Sequence, residues 1–238
     1  LTSAQSEQLE QNLGHFFKWH RREELARYES FLNQAALYVS DGVTRDEFLE
    51  LNQQVGDAWS RSISRAIEDI GILALTLTPQ QIDHYQGYYR DRAEEFDEYL
   101  EKSPEERKLH RAYRGMARLH NWLGELDNKQ WDRIFPLMQD LPDIYQPWIR
   151  FREHRHRALI RAFKNSTSEA AMRQELNNIF VNNQSQYARD FQQAREQYWL
   201  AYADMLEKIS DWIKPEQFQN AVQKLKDYAE IAQGIREG

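Results

Sequence analysis

Residues 1–44 read LTSAQSEQLEQNLGHFFKWHRREELARYESFLNQAALYVSDGVT. Within this stretch Leu9, Leu13, Phe17, Leu25, Tyr28, Leu32, Ala35 and Val39 recur at the spacing of one helix face, with polar residues between them. Thr2 or Ser3 can accept the first free backbone amides of such a helix. Ser40-Asp41-Gly42 supplies its stop, because Gly42 can adopt the left-handed conformation that closes a helix. A second stripe comes at once: Phe48, Leu51, Val55, Trp59, Ile63, Ile67 and Ile70, opened by Thr44 with Glu47 three residues on, the capping-box spacing.

The same grammar continues outward. Thr78-Pro79 starts a helix carrying Ile82, Tyr85, Tyr89, Phe96 and Leu100, and Ser103-Pro104-Glu105-Glu106 starts another that runs through Leu123. Asp127 caps a short helix interrupted around Pro136, Pro142 and Pro147, and a basic helix runs from Trp148 to Lys164. Ser168 opens a long segment with a break point at Asn182-Asn183, and Lys214-Pro215 starts the last helix. The expectation is an all-α chain, an elongated or curved bundle of about seven or eight long helices. It divides into an N-terminal half, 1–125, and a C-terminal half, 126–238, within one continuous helical domain.

Composition agrees. Nine glycines and six prolines are few for 238 residues, which suits long helices joined by short connections. The net charge of -7 disfavours general nucleic-acid binding, which needs a basic surface to displace counterions. There is no cysteine, so disulfides and thiolate metal sites are excluded. The longest apolar run, Ile70 to Leu77, is too short to span a bilayer.

The halves echo one another. Leu1-Thr2-Ser3-Ala4-Gln5 matches Leu126-Asp127-Asn128-Lys129-Gln130, and the basic segment at His20-Arg21-Arg22 matches Arg152 to Arg157. Thr44 matches Ser168, and Leu77-Thr78-Pro79-Gln80-Gln81 matches Ile213-Lys214-Pro215-Glu216-Gln217. The spacings drift, and helices of similar composition mimic one another, so a duplication and a coincidence both stand open.

Leu-Thr-x-x-Gln occurs at Leu1–Gln5 and at Leu77–Gln81. As local chemistry it is a helix start: a Thr cap, a Leu before it, and a Gln that can bond back to the cap amide. As a pair of motifs in a helical chain it resembles the Spy and CpxP group of periplasmic chaperones and stress regulators, although this chain is longer and more acidic. A second resemblance is to an uncharacterised family of Gram-negative envelope lipoproteins. It rests on those two motifs, on Trp19-His20-Arg21-Arg22-Glu23-Glu24-Leu25 with Arg27-Tyr28, on Ser103-Pro104-Glu105-Glu106-Arg107 and on Trp122-Leu123. That resemblance implies a periplasmic, outer-membrane-anchored lipoprotein whose lipid anchor lies upstream of Leu1.

Two charged clusters are the candidate partner-binding surfaces. The first is Trp19, His20, Arg21, Arg22 and Glu24, where helical spacing makes His20 and Glu24 neighbours. Structural pairing within the fold explains it as well as partner binding does. The second is the basic stretch around Arg152, Arg155 and Arg157, with Ile149, His156, Leu159, Ile160 and Phe163 forming the buried face. Its bland alternative is an internal answer to Glu94, Glu95, Asp97, Glu98 and Glu101. Tyr88, with Tyr99 and Tyr113, could line a groove for a client.

Enzyme signatures are missing: there is no phosphate-binding glycine loop, Gly-x-Ser-x-Gly or His-Glu-x-x-His, and Glu153 and His156 give one Glu-x-x-His where a di-iron bundle needs two. No catalytic residue, cofactor or metal is expected. The leading expectation is a non-enzymatic periplasmic factor, chaperone-like or adaptor-like, that binds a protein client. The alternative is a structural or regulatory envelope lipoprotein bound to one membrane or cell-wall partner. A third reading, an enzyme, would join His20 and Glu24 to the Glu153–His156 region.

Overall fold

The computed structural model describes residues 1–237, apart from the side chains of Asp69, Ile70, Glu94, Glu95 and Asp97. Among these residues the chain is all-α, with ten α-helices, one π-helical turn and no strand. The helices are α1 (Ser3–Trp19), α2 (Leu25–Val39), α3 (Arg45–Ala74), α4 (Pro79–Glu101), α5 (Pro104–Leu123), α6 (Asn128–Asp140), α7 (Tyr145–Asn165), α8 (Glu169–Phe180), α9 (Gln186–Ser210) and α10 (Pro215–Glu237). None of them is long and apolar enough to cross a membrane.

The caps form as the sequence predicts. Thr2, Ser103 and Asp127 each close a complete capping box, with Gln5, Glu106 and Gln130 as the reciprocal residues. The Thr44 amide donates to Glu47 Oε2 at 2.9 Å, and the Thr78 amide to Gln81 Oε1 at 2.9 Å. Gly42 takes φ 100°, which a side chain would strain, and so ends the α2 turn.

One departure and one expected break raise the helix number from eight to ten. The first long helix is interrupted by a π-turn at His20–Glu24, and the segment after Ser168 breaks at Val181–Ser185. At the second break Asn183 Nδ2 donates to the Ile179 carbonyl at 3.1 Å, and Ser185 Oγ accepts from the Ala188 amide at 3.1 Å, so one helix is closed and the next capped. α7 begins at Tyr145, ahead of the expected Trp148, because Pro147 falls in its first turn, where a missing amide hydrogen costs nothing.

The π-turn also re-phases the first stripe. One extra residue in a turn rotates the helix beyond it by about 100°. Leu25, Ala35 and Ala36 are buried, whereas Leu13 and Phe17 stay exposed, and α1 buries Gln5 and Asn12 instead. The second stripe is likewise covered only at its ends. Ile67 is buried, Phe48 packs against Trp199 and Tyr202 with centroids 5.9 and 5.5 Å away, and Val55 and Trp59 are exposed. Ile70 lies outside the described side chains.

The helices group into two compact units, each drawn from three separate stretches. Unit 1 takes residues 1–20, 57–101 and 144–193, and unit 2 takes 21–56, 102–143 and 194–238. These are interleaved and do not coincide with the halves 1–125 and 126–238. Unit 1 has a core of Ile67, Ala74, Ala162, Met172, Leu176 and Ile179. Unit 2 holds a larger one around Met116, Ile134, Met138, Met205 and Ile209, and a second at Ala35, Ala36 and Leu225.

One arrangement is used in both units. In unit 1 the Gln5 and Gln81 amides bond reciprocally, at 3.1 and 2.7 Å, and Gln5 Nε2 also donates to the Thr76 carbonyl at 2.8 Å. In unit 2 Gln130 and Gln217 do the same, at 2.7 and 3.2 Å, and Gln130 Nε2 donates to the Trp212 carbonyl at 2.8 Å. Each of these glutamines also returns its Oε1 to its own cap amide. The four helix starts matched in the sequence are thus two copies of one buried junction.

The helices attached to these junctions are exchanged between halves. α4 of the first half packs on α7 of the second, and α10 of the second packs on α2 of the first. Since α4 matches α10 and α2 matches α7, the pairings are equivalent.

Candidate functional site

Equivalent pairings can be compared position by position. Leu32 and His156 each stand twelve residues before the next cap, Thr44 or Ser168, and Leu225 and Tyr89 each stand eleven residues after theirs. In unit 2 the junction is apolar: Ala35, Ala36 and Leu225 are buried, with Leu32 and Val222 against them. In unit 1 the same junction is built from Tyr89 and His156, whose rings stack at 3.5 Å and 6°. Arg152 and Arg155 occupy the positions of Tyr28 and Phe31, so two aromatics in one unit are two cations in the other.

Around these residues α4 and α7 leave a pocket of about 200 Å³, lined also by Tyr85, Tyr88 and Arg92 of α4, Leu159 of α7 and Phe180 of α8. Both arginines lie over aromatic rings. The Arg152 guanidinium lies 4.3 Å from the Phe96 centroid and 4.7 Å from that of Tyr89, and Arg155 lies 5.3 Å from Phe151 and 5.4 Å from Phe180. Stacking occupies the faces of a guanidinium and leaves its in-plane N–H edge for an acceptor. Among the described residues neither edge meets a carboxylate, since Glu153, the acid of α7, pairs with Arg157 at 3.7 Å.

Two more polar atoms are left over. Among the described residues Tyr89 Oη and His156 Nδ1 are buried without a hydrogen-bond partner, a state that costs free energy unless something fills it. Burial pushes the Tyr85 and Tyr89 phenols up, so both stay neutral donors. Burial, and then the Arg152 charge, hold His156 below its ordinary value and keep the imidazole neutral at physiological pH. The pocket therefore carries three positive charges, Arg92 among them, and neutral phenol and imidazole groups able to hydrogen-bond.

The structure brings together only part of each predicted cluster. Arg152, Arg155 and Tyr88 meet at this pocket, with Tyr88 exposed at its rim and bonded to Arg92 at 2.9 Å. Arg157 points elsewhere, exposed beside Glu153. Tyr99 is buried on Tyr145, and Tyr113 lies against Phe135 in unit 2. His154 stacks on Tyr187 at 4.7 Å, away from His156. Glu94, Glu95 and Asp97, three of the five residues of the proposed acidic answer, lie outside the described side chains.

At the π-turn the first cluster comes apart. His20 stacks on Phe16 at 5.8 Å and Trp19 tilts over the same ring at 5.7 Å, both in unit 1. Arg21 is exposed, Arg22 pairs with Glu23 at 2.8 Å, and Glu24 is fully buried and bonded to Arg27 at 3.2 Å. His20 and Glu24 are the first and last residues of the π-turn, in which bonded partners stand five residues apart. Among the described residues no group of three metal-ligating side chains gathers anywhere.

Residues 1–192, all of the α4–α7 pocket included, match a protein family described only as a family of unknown function. The chain belongs to that family, DUF6279. No curated protein and no solved structure matches it. The DUF6279 match stops short of α10, so it covers every residue of the aromatic-cationic junction and leaves out half of its apolar counterpart.

Sequence reasoning missed Tyr85, Tyr89 and His156 as site residues. A signal for them exists: counted from the caps, His156, Arg152 and Arg155 are the places where α7 departs from the apolar pattern of α2.

Proposed function

We propose that the protein is a non-enzymatic binding factor of the bacterial envelope, dedicated to one membrane or cell-wall partner that presents an anionic group. The observation that carries the reading is the pair of guanidiniums over rings, Arg152 and Arg155, which among the described residues meet no carboxylate and share a pocket with two polar atoms that have no hydrogen-bond partner there. Such edges bind carboxylates and phosphates in their own plane. The site is small and chemically particular, which suits a dedicated partner better than assorted unfolded clients. The envelope address rests on the likeness of the paired Leu-Thr-x-x-Gln segments to envelope lipoproteins.

The test is titration calorimetry with inorganic phosphate and acetate, on the unaltered protein and on two variants. Arg152→Glu/Arg155→Glu should abolish anion binding, and Arg157→Glu should leave it intact. Equal loss in both variants would mean diffuse surface charge and would overturn the reading.

A protein-binding, chaperone-like role has its own support. Leu13 and Phe17 on α1, and Tyr228, Ile231 and Ile235 on α10, are exposed at helical spacing. That role predicts suppression of aggregation for several unrelated denatured proteins at near-stoichiometric ratios. Failure with all of them removes it.

A further inference from the structure

The α4–α7 pocket does not end at the arginines. Tyr85 and Leu159 form a wall shared with a second, larger hollow of about 720 Å³ in the same unit, lined by Leu77, Ile82, Phe163 and the His84 side of α4. The two compartments differ in chemistry. Arg152, Arg155, Tyr89 and His156 stand at one end, and Leu77, Ile82, Leu159 and Phe163 at the other, with the Tyr85 ring 5.3 Å from His156 and 6.2 Å from Phe163 between them. Unit 2 puts Leu32, Leu225 and Ala35 at the positions that match His156, Tyr89 and Leu159.

We propose that unit 1 binds a single-chain amphiphile with a phosphate monoester head, its head between Arg152 and Arg155 and its hydrocarbon chain along Leu77, Ile82, Leu159 and Phe163. Charge selects the head: Arg152 and Arg155, with Arg92 on Tyr88 at the rim, favour a phosphate monoester, which carries close to two negative charges at neutral pH, over a single carboxylate. Tyr89 Oη and His156 Nδ1, both without a partner among the described residues, hydrogen-bond to the remaining oxygens. The chain end is set by the apolar wall that continues from Leu159, since an inorganic ion would leave that wall in water. The inference rests on the anion-binding reading and names the ligand class of that site.

The experiment is a chain-length series on the unaltered protein, read by titration calorimetry below the micelle concentration. The ligands are inorganic phosphate and butyl, octyl and dodecyl phosphate. Affinity should rise by about fourfold for each methylene that enters the groove, on the order of 100-fold from butyl to octyl. Arg152→Gln/Arg155→Gln should weaken all members alike, whereas Leu77→Gln should flatten the rise and leave inorganic phosphate unchanged. If the Leu77 variant does not fold, the series on the unaltered protein still decides.

Binding of inorganic phosphate as tight as that of octyl phosphate would overturn the chain and leave the anion site standing. Octyl glucoside binding as well as octyl phosphate would overturn the head. No binding by any member would sink both readings. Dodecyl phosphate captured only when embedded in phosphatidylcholine vesicles would mean docking on a bilayer surface, and would overturn capture of a single molecule.

Discussion

The imidazole of His156 lies flat on the phenol ring of Tyr89, 3.5 Å away and 6° from parallel, and the two residues come from opposite halves of the chain. Where the other unit makes this junction, a leucine faces a leucine. The polar pair leaves Tyr89 Oη and His156 Nδ1 without partners. His156→Leu should therefore stabilise the protein by about 1 kcal/mol while weakening anion binding, because an unsatisfied buried group costs about 1–3 kcal/mol. Thermal melts and phosphate titration of one variant check both halves of the statement; a lower melting temperature would contradict it.

Burial also gives that histidine a pH signature. Its folded-state pKa is lowered from 6.5, by burial first and then by Arg152 and Arg157, and His154 is lowered by burial, Arg157 and Arg161. Below pH 6.5 the unfolded chain binds protons that the folded chain refuses, so stability is complete above that value and falls as pH drops through it. Urea midpoints between pH 8 and pH 5 should decline, and His156→Leu should flatten the decline.

At the alkaline end Tyr202 governs. Burial pushes its phenol from 10.0 up to about 12, with Tyr198 adding to the effect. A raised phenol contributes stability that is present below pH 10 and lost as pH rises toward 12. Tyr202→Phe should lose less stability across that window than the unaltered protein. Denaturant melts at pH 9, 10 and 11 measure it.

The buried glutamine junctions are expected to be strongly non-additive. Gln130→Ala removes the partner of the Asp127 amide, the Trp212 carbonyl and Gln217 together, and should destabilise by about 3 kcal/mol. Gln217→Ala should cost a similar amount. The double variant should cost clearly less than their sum, since much of each loss is the stranding of the other amide. A double-mutant cycle reads this directly.

Two helical glycines should respond with opposite signs. Nothing lies within 4 Å of a Cβ built at Gly87, so Gly87→Ala should gain up to about 1 kcal/mol of helix propensity. At Gly115 the added carbon would stand 2.6 Å from Sδ of Met138, which is buried in the unit 2 core. Overpacking of about 1–3 kcal/mol outweighs the same propensity gain there, so Gly115→Ala should melt lower.

Helix starts were the most legible part of the chain. Thr44, Thr78, Ser103, Asp127 and Ser168 cap where their side chains say they should, because a cap is decided by a few neighbouring residues. Burial was less legible. Leu13 and Phe17 have the spacing of a core stripe yet remain exposed, since the π-turn five residues long displaces the register beyond them. The site was legible only in part. Arg152 and Arg155 stand out as local basic charge, but Tyr89 reaches them from a different half, and no local pattern reports that α4 will pack on α7 and not on a neighbour in sequence.

The exchange of helices between halves has a consequence for how the chain must be made. α2 finds its main partner only in α10, where Ala35 and Ala36 meet Leu225 and Glu29 meets Arg236 at 2.8 Å. A ribosome delivers α10 long after α2, so the apolar face of the second helix waits through the synthesis of α3 to α9. A prematurely ended product can complete the first unit and never the second. Its uncovered α2 face is a mark by which proteases and chaperones can recognise an unfinished copy.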